Sequence, residues 1–503
     1  MMTITRITQP PRRRIDAPVE DVYEASDRVK VSMPSTLATW SLVALIWTSI
    51  ASAQTPAQLT ALDRFINAEL ARQRIPGMSV AVLRGDSMLI ARGYGLANAE
   101  HRVPATDSTV YPVGSLTKQF TAATIVLLSQ QGRLGLDDPI TRYLPEGSAV
   151  WSAVTIRHLL THTSAIPDDP AIDGHRDYSE IEMVRSAAAQ PLGFTPGELE
   201  SYSTTGYDLL GIIIHRVTGR PWGNFVRDQI FRPLGMKTAR VNSDTDSIPD
   251  RAAGYQMVDD TLKSQDWVSP SINSTAGCCL SFSARDLAQW AIGLNHVKVL
   301  GRAGLHMSWT PVRLNNGGTY PYGFGWNLVE QRGYRRIGHS GQWLGSHATL
   351  QRYPDFDLTV IVLLNLAQAN SEGIAVGIAG LLEPMLTAPH LVPGGLKGPT
   401  PPTSVEQLLS AVASGTESRL ATPEFTATFP QSRREFIAGV MKMTETWTPL
   451  GCDDVRSRRI FRLKSRIEHI CYAKATAKQG SLLFTVPYAS DWRAAGLDNV
   501  FGI

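Results

Sequence analysis

The chain has 503 residues, 43% hydrophobic and 18% charged, with a net charge of +3 and a pI near 8.6. That composition suits a globular protein with a large core and excludes a disordered chain. So mild a positive balance, with no long basic run past the N-terminal region, argues against nucleic acid as a partner.

At roughly 150 residues per domain, the length predicts about three structural units. Residues 1–32 are polar, carry the cluster Arg12-Arg13-Arg14 and show no apolar period. Arg28 and Lys30 then precede an apolar stretch from Leu37 to Ile50, which ends in Ala51-Ser52-Ala53 before Gln54. A positive flank, a short apolar run and a small-residue site predict a cleaved secretory signal. Residues 1–53 are therefore read as leader and signal peptide, and the protein as exported, periplasmic or secreted. The run is short for a membrane span. A short anchor is the alternative reading, and Met33 is an alternative start.

Leu59, Leu62, Ile66 and Leu70 repeat with helical spacing and stop before Pro76-Gly77. Two strand-like runs follow, Met78–Leu83 and Met88–Tyr94, joined as a hairpin through Arg84-Gly85-Asp86-Ser87. Next comes a long helical middle. Leu116, Phe120, Ala123 and Leu127 share one helical face, as do Tyr207, Leu210, Ile214 and Val217, and Gly219 and Pro221 separate two helices. Strands return at Arg335–Gly338, His347–Tyr353 and Leu358–Asn365. The first and last parts are thus predicted to build one antiparallel sheet flanked by helices, beside a mainly helical lobe: an α+β fold. Residues 54–386 form this domain. Residues 387–404, rich in Pro and Gly, read as a linker. Residues 405–503 read as a small accessory α+β domain, with a helix face at Val405, Leu408, Leu409 and Val412 and strand-like runs at Ile460–Leu463, Ile470–Ala473 and Leu482–Val486.

Of the four cysteines, Cys452 and Cys471 flank strand-like segments and are placed to bridge. Adjacent Cys278 and Cys279 are expected not to pair with each other, because that closes a strained ring. No metal-ligand spacing is present, and neither a metal nor any other cofactor is expected.

Three short motifs carry chemistry. Ser115-Leu116-Thr117-Lys118 is expected to start a helix, with Ser115 and Lys118 on one face. A serine hydroxyl needs a base to take its proton, and a lysine neutralised by burial supplies one. Tyr202-Ser203-Thr204 lies in a loop before a helix, and nearby cations are expected to lower the Tyr202 pKa toward that of a base. His339-Ser340-Gly341 begins the late strands, where Gly341 is expected to let a substrate backbone come close. Gly338-His339-Ser340-Gly341-Gln342 nearly matches the elbow G-x-S-x-G, but lacks its last glycine and the helix that must follow. Ser340 is therefore rejected as nucleophile. A cysteine thiolate paired with His339 is rejected too, because no context activates it.

Taken in this order, the motifs resemble those of the serine β-lactamase and penicillin-binding-like superfamily, in the branch of class C β-lactamases, DD-peptidases and related esterases. The match runs from about Leu59 to Leu382. Tyr111-Pro112-Val113-Gly114, Gly132-Arg133-Leu134, Asp137-Asp138-Pro139, His158 to Ser164 and Pro233-Leu234-Gly235-Met236 support it. The resemblance implies a β-lactamase/transpeptidase-like fold and an acylated Ser115. It implies that Lys118 and Tyr202 share general base and acid work. Backbone N–H groups of Ser115 and Gln342 would form an oxyanion hole. His339 would take the place of the lysine of K-T-G, and His339, Gly341, Gln342 and Thr204 would contact substrate. A positively charged His339 is expected to lower the Tyr202 pKa and to lose that effect above about pH 6.5.

Three positions depart from the family. Thr204 stands where Tyr-x-Asn has its asparagine, Ala165 where a glycine is usual, and Cys278-Cys279 where two glycines are usual. A hydroxyl cannot both donate and accept as an amide does. Hydrolysis of a D-amino-acid peptide or an ester is therefore expected over efficient β-lactam turnover. The alternative function is a penicillin-binding or sensor module that acylates with little turnover. The expected partner is a small-molecule or peptide substrate, with no membrane span once the signal is cleaved. The sequence does not specify an oligomeric state.

Overall fold

The structure is a computed structural model and describes residues 56–503, apart from 244, 388–397, 430, 457–459, 463–464, 479 and 502–503. The expected leader and signal, and most of the expected linker, lie outside the described residues. The described residues form one compact unit.

Helix α1 (Pro56–Gln73) leads into strands β1 (Gly77–Arg84) and β2 (Ser87–Asn98), with a short edge strand β3 (Val103–Pro104). From the late part come β4 (Asn327–Gln331), β5 (Tyr334–Trp343), β6 (Ser346–Tyr353) and β7 (Leu358–Leu364). They join in the order β4-β5-β6-β7-β1-β2-β3, and every neighbouring pair is antiparallel. The α+β fold, with one sheet made from both ends of the domain, is as the sequence predicts.

Strand alternation explains why β1 and β7 read as unbroken apolar runs. Met78, Val80 and Val82, with Val360, Val362 and Leu364, enter a core shared with Leu62 and Ile66 of α1 and Ile374 and Ile378 of α5 (Ser371–Leu382). Ala81, Leu83, Ile361 and Leu363 point the other way, into the core of the helical lobe. Both faces are covered, so both sets of side chains are apolar. The helical core holds α2 (Lys118–Gln130), α3 (Thr204–Thr218) and α4 (Ala284–Asn295). Lys118 through Val126 are all buried, and Leu127 is only partly so. The single face predicted for this stretch is therefore too narrow, because α2 is enclosed on all sides. Gly219 closes α3 with φ 70°, the left-handed cap conformation that glycine adopts freely.

The C-terminal part has a core of its own, in which Leu408, Leu409 and Val412 of α6 (Val405–Ser414) meet Ile437 and Val440 of α7 (Gln431–Met443) and Phe484 and Val486. Its sheet runs β8 (Thr446–Asp454), β10 (Ser465–Ala477), β11 (Gly480–Ala489) and β12 (Asp498–Phe501), with β9 (Ile460–Arg462) paired to β10. Cys452 and Cys471 face each other in register and are bonded, as their spacing suggests. A half-buried ion pair of 2.9 Å, Arg332 to Asp453, ties the β4–β5 hairpin to this sheet. No helix among the described residues is long and apolar enough to cross a membrane.

Candidate active site

Ser115 is built into a 3-10 turn, Gly114–Thr117, which runs straight into α2 at Lys118. The helix start predicted at Ser115 is thus a tighter turn. In such a turn residues three apart eclipse each other, and Lys118 Nζ lies 3.1 Å from Ser115 Oγ. Lys118 is fully buried. Its Nζ also donates to the Gly277 carbonyl at 2.8 Å and sits 4.8 Å from the centre of the Tyr202 ring. Burial brings the amine down to about 8, against the opposing pull of the Asp208 and Asp168 carboxylates. Asp208 accepts from the Gly277 N–H at 2.9 Å, and burial raises its carboxyl to about 6.

Two glycines let strand β5 lie against this turn. A Cβ at Gly341 would stand 2.1 Å from the Val113 carbonyl oxygen and 2.4 Å from the Ser115 amide nitrogen. Gly114 has φ 54°, and a Cβ there would stand 2.3 Å from the Gln342 nitrogen. These contacts hold the Gln342 backbone close to the Ser115 turn. Gly341 was expected to admit a substrate backbone; the backbone it admits is the protein's own.

Tyr202 precedes α3, whose N-cap is Ser203: its hydroxyl accepts from the Gly206 N–H at 3.1 Å. The Asp168 carboxylate accepts from the Thr204 N–H at 2.5 Å and the Thr205 N–H at 3.1 Å, adding negative charge at the positive end of the helix. The Tyr202 residue is 38% exposed, and its ring packs against His162, with centroids 4.2 Å apart. Burial pushes the phenol well above its ordinary value, Asp168 and Glu200 add to that, and the nearby Ser115 offsets it only in part. The predicted lowering is thus reversed, and Tyr202 is a neutral phenol.

His339 explains part of that reversal. Burial and the neighbouring Lys118 charge hold it down at about 4, so it carries no charge at neutral pH. Its hydrogen bonds agree. His162 Nδ1 accepts from the Ser203 N–H at 3.1 Å, which leaves the proton of neutral His162 on Nε2, 3.2 Å from the Tyr322 hydroxyl. Tyr322 Oη lies 3.1 Å from His339 Nε2, and His339 Nδ1 lies 2.6 Å from the Ser340 carbonyl, which can only accept. One assignment satisfies every group: His162 donates to Tyr322, Tyr322 to His339, and His339 to Ser340, with both imidazoles neutral. Tyr322→Phe removes both middle bonds inside a buried site. It is expected to cost about 1–3 kcal/mol of stability, read as a lower midpoint in denaturant; an unchanged midpoint would contradict this chain.

The rejected rivals are accounted for by geometry. Ser340 alternates with His339 along β5, and its hydroxyl donates to Glu372 at 2.7 Å, on the face toward α5. Cys278 and Cys279 are bonded to each other, so neither supplies a thiolate. This also corrects the expectation that adjacent cysteines stay unpaired: the eight-membered ring is closed within a loop pinned on both sides. Ala165 adopts φ 63°, and His162, three residues before it, φ 58°. Glycine takes that conformation without strain, which accounts for the residue usual there in the family.

His162, Tyr322, Asp208 and Gly277 join the site without having been singled out by sequence. Gly277 and Asp208 reach Lys118, and Tyr322 reaches His339, through tertiary contacts that leave no local pattern. Thr204 lines a cavity of about 260 Å³ with Asp168, Asp208, Cys278 and Trp343; Ser115 and Lys118 are not part of its wall.

The profile of the Beta-lactamase family matches residues 62–382. Penicillin-binding protein 4* of Bacillus subtilis is 32% identical over 307 residues, covering 57% of this chain and 67% of that protein. Protein flp of Staphylococcus aureus is 27% identical over 325 residues, 62% of this chain and 63% of its own length. The chain thus spans about two thirds of the length of these curated relatives. Among solved structures, the octameric penicillin-binding protein homologue from Pyrococcus abyssi shares the fold, with a TM-score of 0.57 at 22% identity over 88% of this chain and 98% of its own. D-amino acid amidase from Ochrobactrum anthropi SV3 matches with a TM-score of 0.57 at 25% identity, over 66% of this chain and 97% of its own.

Proposed function

This chain belongs to the Beta-lactamase family, and on that footing we propose that it is a serine hydrolase that cleaves amide or ester bonds through an acyl-Ser115 intermediate. The observation that carries the reading is the 3.1 Å contact between Ser115 Oγ and the buried Lys118 amine. Lys118, in its neutral form, takes the Ser115 proton as the hydroxyl attacks the carbonyl carbon. The Ser115 and Gln342 N–H groups hold the developing oxyanion. Neutral Tyr202 hands a proton to the leaving group and is recharged from Lys118. A water then repeats the sequence on the acyl-enzyme. Thr204, His339 and Gln342 line the substrate's path, Gly341 seats the Ser115 turn against β5, and the protein works outside the cytoplasm.

D-amino-acid amides, D-peptides and small esters are favoured over β-lactams. The Thr204 hydroxyl cannot give the two-sided amide contact of an asparagine, and the likeness to D-amino acid amidase supports the same choice. The test is a panel of D-phenylalanine amide, p-nitrophenyl acetate and nitrocefin on the purified chain. The amide or the ester should exceed nitrocefin in kcat/KM by at least about tenfold; nitrocefin as the best substrate would overturn the preference. Similarity to penicillin-binding protein 4* supports a second reading, acylation with slow release. A fluorescent penicillin label on Ser115 that outlasts the assay would favour it.

A further inference from the structure

The adjacent cysteines have no part in that scheme, yet they border its base. Gly277, immediately before them, supplies the carbonyl that accepts from Lys118 Nζ at 2.8 Å. Its own N–H is held by Asp208. On the far side of the pair, the Leu280 N–H donates to Thr117 Oγ1 at 3.1 Å. The Cys278–Cys279 ring thus lies between two backbone anchors, and both bear on the turn that carries Ser115 and Lys118. Little slack surrounds it: the Thr204 methyl lies 2.7 Å from where a Gly277 Cβ would stand. A change in the ring therefore passes to Gly277.

The two sulfurs are not equivalent. Cys278 is 5% exposed and lines the cavity beside Thr204, whereas Cys279 is fully buried. A thiolate entering the cavity meets Cys278 first.

We propose that the Cys278–Cys279 disulfide is a redox clamp on Lys118, holding the Gly277 carbonyl against the amine when closed and releasing it when an external dithiol opens the ring. The proposal rests on the reading of Ser115 and Lys118 as the catalytic pair. The dithiol's thiolate attacks Cys278 Sγ, the Cys278–Cys279 bond breaks, and Cys279 leaves as a thiolate and takes a proton. The reductant's second thiol then displaces Cys278 and closes its own disulfide. Two electrons and two protons pass to the cysteine pair, and the dithiol is oxidised to a cyclic disulfide. Two thiols cannot stay at bonding distance, so their side chains part and the backbone between the anchors shifts.

The test uses the whole chain with dithiothreitol, iodoacetamide mapping, p-nitrophenyl acetate as substrate and acetic anhydride as a probe of Lys118. Unfolded without reductant, the protein should show no free thiol at Cys278 or Cys279. Reduction should lower hydrolysis by about tenfold or more, as a misplaced catalytic group does, and should change the rate of Lys118 acetylation. Reoxidation should restore both. The Cys278→Ala/Cys279→Ala variant should be slow and indifferent to dithiothreitol; a loss on reduction that persists in it belongs to Cys452–Cys471 and overturns the clamp. Free thiols in the untreated protein, or hydrolysis and Lys118 acetylation both unchanged by ring opening, would overturn it as well. Acetylation that changes while hydrolysis does not would uphold the clamp and sink the catalytic reading of Lys118.

Discussion

Ser115→Ala is expected to lower kcat/KM toward the best substrate by about 10⁴-fold or more, the scale seen when an acylating nucleophile is removed. The effect is large because no other hydroxyl stands in for it. Ser340 is turned toward Glu372, Ser203 caps α3, and Tyr202 is a neutral phenol. The fold should be untouched, since the turn is held by backbone contacts of Gly114 and Gly341. Steady-state kinetics with circular dichroism as control decides it. A variant within tenfold of wild type would mean that the acyl group is carried elsewhere.

The second large effect is on the pH profile. Lys118 acts as base only when neutral, and its pKa is brought down to about 8. The charged form predominates below that value, so kcat/KM should climb with pH and level off above about 8. Lys118→Met should lose this limb together with about 10³-fold of the rate, within the range that general-base catalysis contributes and the loss of a nucleophile's activator. His339, held at about 4, stays neutral across the same range and should add no limb near pH 6.5. A profile that falls between pH 6 and 9, or a limb near 6.5 that vanishes in His339→Asn, would contradict these assignments.

Much of this site was legible in the sequence, for reasons that differ by residue. Ser115 and Lys118 are three apart, and local spacing alone predicts that they meet. β1 and β7 announce themselves as apolar runs because both faces of the sheet are covered. The direction of the Tyr202 and His339 shifts was not legible. It depends on how deeply tertiary packing encloses each group, and neighbouring cations were given a weight that burial overrides. Tyr322 and Asp208 lie far along the chain from Ser115, so nothing periodic links them to it. Gly341 was read as room for substrate, whereas its neighbour is the Ser115 turn, which only the register of β5 reveals. The pairing of Cys278 with Cys279 ran against ring-strain reasoning, because the anchors at Gly277 and Leu280 come from other elements.

The most direct test of the account is the mass of the Ser115 peptide after brief exposure of the full chain to p-nitrophenyl acetate and an acid quench. One acetyl group is expected on Ser115, absent in Ser115→Ala and longer-lived in Lys118→Met. Hydrolysis with no adduct on Ser115 at any time point, or an adduct on Tyr202 or Ser340 instead, would contradict it.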